Sequence, residues 1–375
     1  LFAAASSLLF EGWSVINFDV RSIRMVIKLL LSLGYVLLSQ VEASFEGPIS
    51  SVELEDSSAT VNIKADNALP DFTIQFTPGM TQPGQGQTAR KKTILSPTTE
   101  LSPQQLAEPT PLPGRSQPGF VGGTIIAEGK YDVRRKLFSA DFIHVEPSEN
   151  VILGALTQND PGTPRQLAIN GVPIVMLTDP RIPANAADPA NPIYLNQYGF
   201  PMEIESALLT PADPTPPPPQ EPPAPSSAEG YLAGDTFYAF LFEYGGTGTL
   251  QIDPAITPQI SMERASYRDD GTGIRVEARG FVTTSHTTPS EPDVELFRVD
   301  FDPTTNQEVE SPIDVADVDA VEPGFASWRV QFRGNKPGGF QSGAPLRIVV
   351  KNHTGIDPAT TNAAFSEIVP DIRED

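Results

Sequence analysis

Leu167-Ala168-Ile169-Asn170-Gly171-Val172-Pro173-Ile174-Val175-Met176 reads as two short apolar strands joined through a tight turn. Asn-Gly supplies the positive φ angles that a two-residue hairpin needs, so the stretch predicts a hairpin of fixed register. Upstream of it, Gly154-Ala155-Leu156-Thr157 opens a first strand. Downstream, a Pro-rich interruption is followed by Gly230-Tyr231-Leu232-Ala233-Gly234-Asp235-Thr236-Phe237-Tyr238, which closes the unit.

The same order occurs earlier in the chain. Gly47-Pro48-Ile49-Ser50 opens, Val61-Asn62-Ile63-Lys64-Ala65 and Phe72-Thr73-Ile74-Gln75-Phe76 follow, and Gly123-Thr124-Ile125-Ile126-Ala127-Glu128-Gly129-Lys130-Tyr131 comes after a second Pro-rich interruption. This alignment sets Gly123 against Gly230. The offset is about 105 residues, the size of a duplicated domain. Each copy offers five strands, and five short strands close most simply as an OB-like barrel. The copies span 44–148, with a Pro-rich insert at 77–120, and 149–254, with a Pro-rich insert at 211–227. The second insert contains Pro216-Pro217-Pro218-Pro219 and predicts polyproline II structure acting as a loop or spacer, because proline fixes φ and has no amide hydrogen for a ladder.

The Gly-x-[Ile/Leu]-[Ser/Thr] openings, and the later strand ending Asn-Gly, resemble small secreted bacterial barrels, a type mostly uncharacterised. The second copy carries both motifs, whereas the first has Lys64-Ala65 where Asn-Gly is expected. The resemblance covers about half the chain and implies an exported OB-like barrel in tandem.

A third unit runs over 256–352. Ile260 to Tyr267 predicts a first strand, and Asp269-Asp270-Gly271-Thr272-Gly273 a turn. Ile274-Arg275-Val276-Glu277-Ala278-Arg279 and Trp328-Arg329-Val330-Gln331-Phe332-Arg333 alternate apolar with charged or polar residues. Alternation places one face on a core and the other in water, as in a two-sheet sandwich. Leu346-Arg347-Ile348-Val349-Val350 begins the same way and ends as an apolar run. The strand spacing and a core Trp328 resemble bacterial Ig-like and fibronectin III-like modules, which lack the cysteine pair of antibody domains. Residues 353–375 have little strand character and read as a flexible tail. The expected class is therefore all-β: two tandem five-stranded OB-like barrels followed by an Ig-like β-sandwich.

Composition agrees. The chain has 375 residues, with 39 Pro and 29 Gly, too many for helical repeats. Its formal net charge is −22. Phosphate backbones and anionic membranes are repelled by such a chain, so no nucleic-acid partner is expected. It contains no cysteine, which excludes disulfides, thiolate nucleophiles and thiolate metal sites.

Residues 25–43 read as a signal peptide. Arg24 and Lys28 precede the apolar run Leu29 to Leu38, and Val41-Glu42-Ala43 places small residues at the cleavage positions. The run is short for a membrane span, so no stable span is expected after cleavage. Residues 1–24 fit either an upstream stretch before a true start at Met25 or an extended signal. The expected location is periplasmic or extracellular.

No pattern for catalysis emerges. Gly-x-Ser-x-Gly is absent, and Ser285-His286 lies in a Thr/Ser/Pro-rich turn. The three histidines, His144, His286 and His353, are far apart in sequence. Two basic clusters, Arg90-Lys91-Lys92 and Arg134-Arg135-Lys136, read as solvated turns. Calcium is the one cofactor candidate, through Asp269 and Asp270 in a tight turn and Asp314, Asp317 and Asp319 further on. Calcium takes six to eight oxygen ligands, and neither stretch has EF-hand spacing. The expectation is an exported, non-catalytic binding or structural protein of the bacterial cell envelope or extracellular space, with an envelope or extracellular protein or glycan as partner. The alternatives are a carbohydrate-active enzyme and a calcium-dependent matrix or surface-layer component.

Overall fold

A computed structural model of the protein describes residues 40–55, 59–65, 73–81, 91–148, 150–162, 164–204, 225–252, 258–269, 273–284, 293–302, 305, 307–334, 345, 347–353, 364–368 and 371–372. The fold is two closed five-stranded barrels and a two-sheet sandwich.

The first barrel uses β1 (Gln40–Glu55), β2 (Thr60–Ala65), β3 (Thr73–Phe76), β5 (Thr124–Asp132) and β6 (Leu137–Glu146); β4 (Thr93–Leu95) and helix α1 (Pro103–Ala107) lie in its insert. Strands follow the cyclic order β1-β2-β3-β6-β5, closed by the parallel pair Ile74↔Phe138. The second barrel repeats the plan with β7 (Asn150–Asp160), β8 (Gln166–Ile169), β9 (Val172–Met176), β12 (Pro225–Ala233) and β13 (Thr236–Tyr244). It closes through the parallel pair Ile174↔Phe237. Strands β10 (Tyr194–Asn196), β11 (Pro201–Glu203) and β14 (Thr249–Leu250) extend its sheet. An order of 1-2-3-5-4, with a parallel 3–5 closure, is that of an OB barrel.

Two bulges recur at matched places. Ser50 and Thr157 are the extra residues where the first strand bends, and each hydroxyl donates to a second-strand carbonyl: Ser50 Oγ to Lys64 O at 2.9 Å, Thr157 Oγ1 to Ala168 O at 3.2 Å. The Gly-x-[Ile/Leu]-[Ser/Thr] motif is thus a bulge latch, with Ile49 and Leu156 turned into the cores. The second bulge falls at Glu128/Gly129 and at Glu229/Gly230. A Cβ at Gly129 would stand 2.2 Å from Ser139 O, and one at Gly230 1.9 Å from Tyr238 O, so only glycine lets the hairpin close there. These bulges align Gly129, not Gly123, with Gly230. The sequence alignment matched the glycines at the strand starts, but the backbone contact sets the register.

In the second barrel both motifs form one unit. Asn170 and Gly171 take positive φ, as the turn requires. The Asn170 side chain lies over Gly154, accepting from Ala155 N at 3.0 Å and donating to Leu153 O at 3.2 Å.

The insert at 77–120 differs from its reading as an unpatterned interruption. Within it, Leu101, Leu106, Leu112 and Phe120 are buried in the first core. Helix α1 starts from a capping box: Ser102 Oγ accepts from Gln105 N, and Gln105 Oε1 accepts from Ser102 N, with Pro103 opening the first turn. Most of the insert at 211–227 lies outside the described residues. Its last residues, Pro225 to Ser227, begin β12, and Ser226 is buried.

The sandwich pairs β15 (Ile260–Asp269), β16 (Ile274–Thr283), β20 (Phe325–Gly334) and β19 (Asp317–Glu322) in one sheet, and β18 (Gln307–Val315), β17 (Val294–Asp302), β21 (Arg347–Asn352) and β22 (Ala364–Ile368) in the other. In chain order these are the A-B-E-D and C′-C-F-G sheets of an Ig-like sandwich. The predicted alternation holds: Ile274, Val276 and Ala278 turn in, and Trp328 is buried, donating its indole N–H to Ser261 O at 2.9 Å. The stretch 353–375 supplies β22 and β23 (Asp371–Ile372), the latter parallel to β15. No helix among the described residues is long and apolar enough to cross a membrane.

Candidate functional site

In both barrels the chain between the third and fourth barrel strands docks on the next module: the insert at 77–120 in the first, and the described stretch 177–204, ahead of the Pro-rich insert, in the second. These two contacts form clasps.

The first clasp joins the barrels. The turn after β9 places Arg181 beside Asp179, whose Oδ2 accepts from Nη2 at 2.6 Å and whose Oδ1 accepts from Nε at 2.9 Å. The remaining nitrogen of Arg181, Nη1, donates to Thr110 O at 2.8 Å and Glu108 O at 3.3 Å, both in the first insert. Arg181 is 5% exposed, and this satisfied fork offsets the cost of burying its guanidinium. Burial alone raises the Asp179 carboxyl, but the hydrogen bonds and charge of Arg181 outweigh it and hold it below its ordinary value. On the other flank, Tyr231 donates to Pro113 O at 2.8 Å, stacks on Tyr238 at 5.5 Å, and lies under the Arg115 guanidinium. Burial pushes the Tyr231 hydroxyl well above its ordinary value, keeping it a donor. Leu177, Ile182 and Phe240 of the second barrel complete the core around Leu106, Leu112 and Phe120.

The second clasp joins barrel and sandwich mainly through a neutral amide and aromatic rings, with the Tyr198 hydroxyl also hydrogen-bonded to the Glu322 carboxyl of the sandwich, which, after burial, helps hold that hydroxyl above its ordinary value. Asn196 is fully buried; its Oδ1 accepts from Tyr198 N and Phe200 N, both at 3.0 Å, and its Nδ2 donates to Thr247 O at 2.9 Å. The turn so fixed presents Tyr198 to Phe281 and Phe325, at centroid distances of 4.8 and 4.7 Å, with Phe200 stacked on Phe325. Ser261 Oγ donates to Tyr198 O at 2.6 Å.

Of the candidate calcium ligands, Asp314, Asp317 and Asp319 are described, and these three do not form a metal-holding group. Asp314 is on β18 and accepts from Val315 N; Asp317 and Asp319 are on β19, opposite Arg329 and Ser327. The chain changes sheets at Ala316, whose N–H donates to Val294 O, and this separates Asp314 from the other two. All three are exposed. Asp270 and the Asp269 side chain lie outside the described residues. Among the described residues, no group of three or more His, Asp and Glu side chains is placed to hold a metal ion.

His144 is in the first barrel, with Nδ1 3.6 Å from Glu146, and His353 is in the sandwich, 3.3 Å from Glu295. Burial lowers His144 below its ordinary value. Ser285-His286 lies outside the described residues. Lys91 pairs with Glu100 and Lys92 with Asp141; Arg90 lies outside the described residues. Arg134-Arg135-Lys136 forms the β5–β6 turn, capped by Asp132, which accepts from Arg134 N and Arg135 N.

Sequence reasoning missed Glu243 on β13. Burial pushes its carboxyl above the ordinary value; Ser227, at 3.3 Å, works against that shift, and the charges of Glu229 and Glu263 add to it. It also missed Arg181 and Asn196. Their partners lie far along the chain, although Asp179-Pro180-Arg181 and Asn196-Gln197-Tyr198-Gly199 carry the marks of side-chain-capped turns. Comparison with protein-family models, with curated proteins and with solved structures finds no match to this chain.

Proposed function

We propose that the chain is an exported, non-catalytic scaffold of the bacterial cell envelope or extracellular space. It fixes three β modules in tandem and presents their outer faces to an envelope or extracellular protein or glycan. The observation that carries this reading is the repeated use of one connection for docking. In many barrels, the loops around the mouth shape a ligand site; here the described chain between the third and fourth strands of each barrel holds the neighbouring module. Acidity and the leader-like residues 25–43 support export. The resemblance of the barrels to small secreted bacterial types, and of the sandwich to bacterial Ig-like modules, supports the same compartment.

The test has two parts. Expressed in a bacterium, the chain is expected in the periplasm or medium; retention in the cytoplasm overturns the export half. Immobilised on beads, it is expected to retain envelope protein or glycan in a manner that survives Glu243→Gln. A hydrolytic activity on polysaccharide that disappears with Glu243→Gln would establish instead the carbohydrate-active reading, which the raised carboxyl of Glu243 favours.

A further inference from the structure

One end of the first barrel is locally basic in this acidic chain. The β5–β6 turn places Arg134, Arg135 and Lys136 in succession, all exposed, with Val133 54% exposed beside them. Strand β1 runs to the same end. Gln40 pairs with Asp132 and Val41 with Tyr131, and Val41 is 47% exposed. Val41 continues the row of Ala43 and Phe45, which pack on the core, past the point where the barrel covers it.

The second barrel has no such end. Its matching turn is Ala233-Gly234-Asp235-Thr236, with one acid and no base. Its first strand starts at Asn150, opposite Gly230, just as Ala43 lies opposite Gly129, so among the described residues the second barrel has no strand counterpart of Gln40–Glu42. The basic, valine-flanked tip is therefore not a product of the barrel plan but an addition to the first copy.

The chain leading into that tip gives the occupant. The apolar run Leu29 to Leu38 stops one residue short of Gln40. We infer that the tip is a contact surface for an anionic lipid bilayer, with Arg134, Arg135 and Lys136 at the headgroups and Val41 and Val133 at the acyl boundary beneath them. Long-range repulsion from the net charge of −22 does not forbid this, since at physiological salt charges act over about 8 Å. Basic residues and apolar side chains together make a reversible anchor where either alone is weak. The contact requires Gln40–Ala43 to stay on the chain, so it belongs to the form that keeps its leader. It does not rest on the scaffold reading.

The chain has no cysteine, so Val133→Cys, made in the full chain, takes a polarity-sensitive fluorophore at one place. Val309→Cys, exposed on β18 of the sandwich, is the control. With phosphatidylcholine vesicles containing one part in about three of phosphatidylglycerol, the label at 133 should shift to the blue and brighten while that at 309 does not. Adding R134Q, R135Q and K136Q together should weaken the partitioning read at 133 by about tenfold or more. The unfolding midpoint should move little, since all three residues are in an exposed turn and the Arg135–Asp132 contact at 3.8 Å is a weak surface pair. A label at 133 that stays in water on anionic vesicles overturns the inference, as does a shift that survives the three substitutions. A shift without vesicles that grows with protein concentration would identify a second copy as the occupant. One produced by inorganic phosphate alone would identify a simple anion site. Failure of export in cells would leave this vesicle measurement intact, so the two proposals fail separately.

Discussion

The two clasps do the same work with opposite chemistry. Between the barrels, a buried guanidinium is held by a carboxylate and two carbonyls, and a second guanidinium covers a tyrosine ring. Between barrel and sandwich, a neutral amide fixes a turn and aromatic rings make the contact. The difference teaches that the joints are equivalent in place but not in origin of strength. The first joint depends on a buried ion pair, the second mainly on packing, with one carboxyl, Glu322, at the Tyr198 hydroxyl.

The comparison breaks most sharply at Arg181. Arg181→Ala removes the partner of Asp179 and leaves two insert carbonyls without a donor. Stripping one member of a buried pair costs about 3–5 kcal/mol, and urea unfolding should show a loss of that size. If Arg181→Ala costs no more than an exposed substitution, the clasp is not what holds the barrels together. Asn196→Ala comes next. It deletes three hydrogen bonds around a fully buried group, at about 1 kcal/mol each. Calorimetry should then resolve the sandwich from the barrels as separate transitions, whereas Arg181→Ala should leave the second barrel and the sandwich melting together. Smaller still are the bulge latches. Thr157→Val removes the bond to Ala168 O and the acceptor for Gly171 N, whereas Ser50→Ala removes only the bond to Lys64 O. About 1–2 and about 0.5–1 kcal/mol are expected respectively, from the same denaturant measurement.

Much of the fold was legible because it depends on local rules. Alternation in Ile274 to Arg279 marked a half-buried strand, and Asn170-Gly171 marked a turn that needs positive φ. Trp328 was placed in the core by size and context. The first insert was not legible as core, since Leu101, Leu106, Leu112 and Phe120 keep neither a helical nor a strand period. They are buried by a path that wraps one barrel and meets the next. The capping box at Ser102 to Gln105 was readable and marks the short helix of the described residues. The clasps were hidden for a different reason. Arg181 reaches carbonyls more than seventy residues back (separations of 71 and 73), and no local pattern encodes such a partner. The aspartates at 314, 317 and 319 are close in sequence, but the sheet change at Ala316 parts them, a feature visible only once both sheets are built.

The smallest effect separates the joints by pH. Asp179 has a folded-state value below its ordinary one, so its contribution is present above the unfolded value of 3.8 and lost as pH falls through the folded value. Glu243 runs the other way. Burial raises its folded value above the ordinary 4.5, so its contribution is complete below 4.5 and disappears as pH rises through the folded value. At neutral pH the raised carboxyl of Glu243 therefore opposes folding, and Glu243→Gln should stabilise the chain at pH 7. Near pH 4 the gain should vanish, because the wild-type carboxyl is then protonated and resembles the amide. Arg181→Ala should show the reverse profile, with its cost fading only below pH 3.8, where the wild-type Asp179 gives up its charge. Urea midpoints should therefore show the Glu243→Gln gain fading as pH falls from 7 toward 4.5 and the Arg181→Ala cost fading only in stronger acid. Curves that stay parallel to wild type over the whole range would mean that neither carboxyl senses the surroundings the structure gives it, and the ionic reading of the first joint would lose its physical basis.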